Sequence, residues 1–194
     1  MREIIFVTGN KGKQKSAQKA FENSDVKLSC YEYDYDEPKV NDIDFITESK
    51  VKQAYEKVGK PCISIDAGFY IRSYPGDPNF PGAFPKRNLL DTMGVKGLLK
   101  NMEGVEDRYC YFKQCLAYYD GEDLKFFYSI SKGELTKEIR GEDTYEKWSD
   151  LWYVFIPEPY NKTLAEMTKD ERENRIKTDT SSLDKFRDWY IKKT

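Results

Sequence analysis

Ile4-Ile5-Phe6-Val7-Thr8-Gly9-Asn10-Lys11-Gly12-Lys13 decides how the rest of the chain is read. Four apolar residues in unbroken succession suit a strand. Thr8-Gly9-Asn10 then suits a tight turn, and Lys11 to Phe21, with Ala17, Ala20 and Phe21 at helical spacing, a helix. The same junction is an anion site in outline, because free backbone N–H groups and the positive helix end attract phosphate. Gly9 permits close backbone approach, Thr8 and Asn10 add donors, and Lys11 or Lys13 supplies charge. An ordinary turn flanked by solvated lysines reads the same way, and the spacing is not that of a Walker A loop.

Outward from this unit, Leu28 to Tyr35 alternates apolar and polar residues as a second strand, broken at Glu37-Pro38. Ile46 to Val58 carries Val51, Ala54, Tyr55 and Val58 on one face, which predicts an amphipathic helix stopped by Gly59 and Pro61. Cys62 to Ile65 predicts a buried strand that ends in Asp66-Ala67-Gly68, followed by an extended Phe69 to Ile71 and a proline-rich loop from Tyr74 to Pro85. Two helical pieces meet near Gly94. Tyr109 to Tyr119 and Lys125 to Gly133, joined by Asp120-Gly121-Glu122-Asp123, predict a long aromatic hairpin, a sheet core and a face for self-association. Trp152 to Ile156 predicts one more strand, Lys169 to Lys177 a solvated charged stretch, and Ser181-x-x-Asp184 caps a last helix that faces inward with Leu183, Phe186 and Tyr190. Alternating helices and strands make the class α/β or mixed α+β, and no shift of composition divides residues 1–194.

The 194 residues carry 32 Lys plus Arg against 34 Asp plus Glu, a formal charge of −2, which provides no long-range field for gripping nucleic acid. Histidine is absent, so Ser-His-Asp triads, Cys-His pairs, HExxH zinc sites and histidine general bases are all excluded. Proton transfer falls to carboxylate, Lys, Tyr, Cys or metal-bound water. The four cysteines, Cys30, Cys62, Cys110 and Cys115, form no CxxC, and they read as reduced thiols of a cytoplasmic protein. No run of about 18 apolar residues is present to span a bilayer.

Two carboxylates suit a phosphate-side metal: Glu48 on the amphipathic helix and Asp66 at the end of a buried strand, where α/β sheets bind ligands. Taken singly, Glu48 also fits a solvated helix face and Asp66 a turn.

Thr8-Gly9-Asn10-x-x-Lys13, Glu48 in Glu-x-x-x-x-x-Ala54, Ile65-Asp66-Ala67-Gly68, Pro81-Gly82-Ala83-Phe84-Pro85-Lys86, Trp148-Ser149-Asp150 and Lys162-Thr163-Leu164-Ala165-Glu166-Met167 occur in this order. Together they resemble the successive motifs of the inosine triphosphate pyrophosphatase family, which hydrolyses non-canonical purine nucleoside triphosphates to monophosphate and pyrophosphate. The resemblance implies an elongated, two-lobed α/β protein with a long central mixed β-sheet flanked by helices and a nucleotide cleft between the lobes. It also implies that Thr8, Gly9, Asn10 and Lys13 bind the triphosphate, that Lys13 and Asp66 are catalytic, and that Glu48 and Asp66 hold Mg²⁺. Phe84 and Lys86 would frame the nucleotide, and Trp148 and Asp150 would face its base. A cytoplasmic homodimer is the expected state, with a nucleoside triphosphate as partner and neither nucleic acid nor membrane. The chain departs from the pattern at Ile65, where relatives carry an acid, at Ala67, at Gln53 in place of a lysine, and at Arg175 to Asp179, where the purine-reading Ser-His-Arg is missing. Two alternatives follow: the same reaction with altered base choice, or a nucleotide-binding module without catalysis.

Overall fold

The computed structural model describes residues 2–144, 147–178 and 181–193. Its elements in chain order are β1 (Arg2–Val7), α1 (Lys11–Phe21), β2 (Val26–Tyr31), α2 (Ile43–Val58), β3 (Cys62–Ile71), β4 (Pro81–Gly82), α3 (Gly94–Asn101), β5 (Tyr109–Tyr119), β6 (Leu124–Leu135), β7 (Phe155–Pro157), α4 (Lys169–Thr178) and α5 (Ser182–Lys192). A π-helical turn covers Lys86–Leu90 and a 3-10 turn Asp150–Tyr153. The seven strands form one mixed sheet in the order β2-β1-β3-β5-β6-β7, with β4 paired to β3. β1 runs parallel to both β2 and β3, whereas β6 and β7 are antiparallel. The expected α/β class and central mixed sheet are therefore observed.

The chain divides into two compact units, one made of Met1–Asp66, Gln114–Ser129 and Thr180–Thr194, the other of Ala67–Lys113 and Ile130–Asp179. In the first, the unbroken apolar run of β1 serves two cores. Ile4 and Phe6 join Ala17 and Phe21 of α1 and Phe186 and Tyr190 of α5, while Ile5 and Val7 join Val51 and Ala54 of α2. Alternate residues of a strand point to opposite faces, so helices on both sides demand apolar residues at every position. In the second unit Phe69, Leu89, Leu98, Cys110, Trp152 and Phe155 form the centre of a separate core.

Local signals set most boundaries. Asp42 accepts from Asp44 N and Phe45 N at 2.9 and 3.2 Å and starts α2 three residues before the predicted Ile46. Gly59, in the left-handed region at φ 61°, ends it. Ser181 accepts from Asp184 N at 3.1 Å, and α5 buries Leu183, Phe186 and Tyr190 as its spacing predicts. The predicted second strand stops early, at Tyr31. Trp152 to Ile156 is corrected more deeply: Ser149 caps the 3-10 turn there, and only Phe155–Pro157 pairs as a strand. The charged stretch from Lys169 is helical, but Arg172 is buried in it, its guanidinium donating to the carbonyls of Leu164 and Met167. Cys62, Cys110 and Cys115 are buried and Cys30 is exposed, and none of the four is in a disulfide.

Candidate active site

Thr8 extends β1 by one step, its N–H donating to Tyr31 O at 3.0 Å, and its hydroxyl accepts from Asn10 N at 3.1 Å. Asn10 is the N-cap of α1, its Oδ1 accepting from Lys13 N at 3.0 Å. Gln14 Nε2 donates back to Thr8 O at 2.9 Å, so the turn is held from both ends. No acidic residue occupies the first turn of α1, which leaves its positive end uncompensated by the helix itself. Gly9 lies under Glu32: a Cβ there would stand 2.5 Å from Glu32 Oε1.

Lys13 leaves this helix end and crosses to β3, where Nζ donates to Ile65 O at 2.7 Å and lies 3.4 Å from Asp66 Oδ1. Two residues fifty-three positions apart are thus brought together as the sequence reading expected. Asp66 itself is not at a strand's end. It sits inside the ten-residue β3, because Phe69 and Ile71 beyond it are fully buried and carry the strand on through Asp-Ala-Gly. Gly68 allows that passage, since a Cβ there would meet Gly82 O of β4 at 2.7 Å.

A residue that the motifs did not single out completes the cluster. Lys50 of α2 is buried, with 9% of its side chain exposed, and its Nζ lies 3.6 Å from Asp66 Oδ2 and 4.5 Å from the centre of the Tyr35 ring. Burial lowers its pKa, and the facing Asp66 charge works against that shift. Asp66 Oδ2 is itself buried and accepts no hydrogen bond. The signal for Lys50 was present: it lies four residues before Ala54, on the face that buries Thr47, Val51 and Ala54. A lysine on a buried stripe requires a carboxylate partner.

Glu48 is turned to another use, its Oε1 2.5 Å from Lys52 Nζ one helical turn on. Gln53 exchanges 3.0 Å hydrogen bonds with the backbone N–H and carbonyl of Asp36. Among the described residues no group of three or more His, Cys, Asp or Glu could hold a metal ion.

In the second unit Lys86, Lys147, Trp148 and Asp150 line a cavity of about 450 Å³, together with Pro85 and Leu90. Lys147 Nζ is shared among Asp143, Asp150 and the Tyr153 hydroxyl at 3.0, 2.9 and 2.9 Å, and these partners raise its pKa. Trp148 is 65% exposed, its ring edge-on to Phe112 and Trp152. Phe84 carries the Arg87 guanidinium 3.8 Å above its ring. The Lys-Thr-x-Ala-Glu segment is tied internally: Glu166 accepts from Thr163 N at 2.7 Å and pairs with Arg140 at 3.0 Å, and Lys162 pairs with Glu171 at 2.7 Å. Of Arg175 to Asp179, the Arg175 guanidinium donates to Ser131 Oγ at 3.0 Å, and Asp179 lies outside the described residues.

The Ham1 family's sequence model matches residues 4–189. A dITP/XTP pyrophosphatase of Thermococcus kodakarensis is 32% identical over 186 residues, 96% of each chain. One of Pyrococcus horikoshii is 31% identical over 188 residues, again 96% of each. Among solved structures, a HAM1 protein from Coxiella burnetii matches with a TM-score of 0.82 at 20% identity, covering 99% of this chain and 100% of that one. With a strand-turn-helix opening, a mixed seven-stranded sheet and a match over nearly its whole length, the chain belongs to the Ham1 family, the inosine triphosphate pyrophosphatase-like proteins.

Proposed function

We propose that this chain is a nucleoside triphosphate pyrophosphatase, a hydrolase acting on non-canonical purine triphosphates of the dITP and XTP class, and that residues 1–194 work as one catalytic domain. The observation that carries the reading is Lys13, which starts in the first turn of α1, where the helix itself has no acid, and finishes on Asp66. The Ham1 relatives named dITP/XTP pyrophosphatases support the same reading.

In this mechanism the triphosphate lies along Thr8-Gly9-Asn10, where the Lys13 amide is taken by Asn10 Oδ1 and the Lys11 and Gly12 amides of α1 are the ones that can donate to phosphate oxygens. The Lys13 ammonium spreads its charge over the phosphates, and Asp66 orients the attacking water. Water oxygen bonds to the α-phosphorus as the bridging bond to the β-phosphate breaks, the water proton passes by way of the Asp66 carboxylate to solvent, and pyrophosphate leaves with the electron pair of the broken bond. Such a reaction needs position and charge rather than a covalent nucleophile, so a chain without histidine can perform it. Asp66 offers an oxygen to a divalent ion that arrives with its nucleotide, because its buried Oδ2 accepts no hydrogen bond and is faced by Lys50 Nζ only at 3.6 Å. Mg²⁺ is the proposed ion, held by Asp66 and by Glu48 once it parts from Lys52, and when bound it neutralises phosphate charge. Lys86 and Phe84 are proposed to frame the nucleotide, and Trp148 and Asp150 to face the base. A cytoplasmic homodimer that binds neither nucleic acid nor membrane completes the proposal.

The test is pyrophosphate release with Mg²⁺ across ITP, dITP, XTP and the ordinary triphosphates, for the wild type and Asp66→Asn. The wild type is expected to favour the first three. Asp66→Asn is expected to lose roughly 10²-fold or more in turnover while remaining folded, with a lowered melting temperature because buried Lys50 loses its carboxylate partner. Equal turnover in the variant removes Asp66 from the mechanism. Selective turnover of a different triphosphate establishes altered base choice, and triphosphate binding without release establishes a binding module.

A further inference from the structure

Both oxygens of Asp66 face an ammonium: Lys13 Nζ stands 3.4 Å from Oδ1, and Lys50 Nζ 3.6 Å from Oδ2. The two lysines are not equivalent. Lys13 is anchored on Ile65 O at 2.7 Å and its side chain is 27% exposed, while that of Lys50 is 9% exposed and lies over the Tyr35 ring. An Mg²⁺-sized ion binds a carboxylate oxygen at roughly 2.1 Å, which on Oδ2 would press two positive charges against the Lys50 ammonium in a poorly hydrated place. Residue 65, next to Asp66, is isoleucine and supplies no second carboxylate to offset that repulsion.

We propose that Lys50 is the resident counter-ion of Asp66, a positioning residue that bars free divalent metal from Oδ2, so that the ion binds tightly only when a triphosphate supplies the opposing charge. The inference rests on the proposal that Asp66 is the metal-side carboxylate, yet it concerns binding rather than turnover.

The experiment is a titration of the full chain with Mn²⁺ alone, followed by electron paramagnetic resonance, for the wild type, Lys50→Met and Lys50→Arg. Methionine keeps the unbranched shape and most of the length of the side chain and discards its charge. Mn²⁺ is expected to bind Lys50→Met at least about ten-fold more tightly than the wild type, and Lys50→Arg as weakly as the wild type. Adding Asp66→Asn to Lys50→Met is expected to abolish the gain. Binding by Lys50→Met no tighter than by the wild type, or equally tight binding by Lys50→Arg, overturns the proposal. Lys50→Gln gives the same reading if the methionine variant does not fold. No step of the titration involves hydrolysis, so a wild type that releases no pyrophosphate defeats the proposed function and leaves this comparison intact.

Discussion

Trp148 and Lys50 mark the two extremes a single residue can occupy. Trp148 leaves 65% of its surface in water and touches its neighbours only edge-on, so its place in the sequence cannot be credited to the core. Replacing it with alanine is expected to change stability by less than about 0.5 kcal/mol, as surface substitutions do. If the indole stacks on the base, worth about 1–3 kcal/mol, the KM for the preferred triphosphate rises roughly ten-fold, and steady-state kinetics beside a thermal melt separates the two effects. Lys50 is the reverse case, an ionised group deep in α2's packed face that is tolerable only because Asp66 meets it.

At the scale of elements, β1, β2 and the turn before β3 share a charge cluster on Glu3. Lys60 Nζ donates to its Oε2 at 2.8 Å and Ser29 Oγ to its Oε1 at 3.0 Å, and Lys27 Nζ lies 3.5 Å away. The Lys60 hydrogen bond, followed by that of Ser29, holds the Glu3 carboxyl down to about 2 from an ordinary 4.5. A carboxyl whose folded pKa is depressed contributes stability above its unfolded pKa and loses it as pH falls through the folded value. Stability is therefore expected to decline from pH 4.5 towards pH 2, and Glu3→Gln to flatten that part of the profile, as read from denaturant midpoints over this range. The cluster is exposed to solvent, so salt is expected to shrink the difference.

The whole molecule is assembled from distant pieces of chain. The first unit joins residues 1–66 to 114–129 and to the C-terminal segment, and Phe186 of α5 is where they meet. It is fully buried, with the rings of Phe21, Tyr118, Phe127 and Tyr190 centred 6.1, 5.7, 5.6 and 5.3 Å away. Phe186→Ala removes contacts to three chain segments at once and is expected to cost about 3–5 kcal/mol, measured by denaturant unfolding. A loss below about 1 kcal/mol would show that α5 adds little to this core.

The sequence by itself determined the elements whose causes are local. The apolar run of β1, the Ser181 cap, the Gly59 stop and the aromatic hairpin depend on residues within a few positions of one another, and the structure places them where periodicity and capping predict. The ordered motifs likewise led to the family, and the crossing of Lys13 to Asp66 agrees with them. Three features depended on partners remote in sequence. Asp66 reads as a turn residue in Asp-Ala-Gly, yet pairing of β3 with its neighbours carries the strand through it. Trp152 to Ile156 reads as a strand, yet the Ser149 cap and burial of Trp152 in the core of the second unit hold its first half as a turn. Lys50 lies on the buried stripe of α2, and only the packing of α2 against β3 shows that Asp66 is the charge that meets it. Local rules act through bonds a few residues long, but the environment of a charge is set by whichever elements the fold packs against it, and that is decided in the tertiary structure.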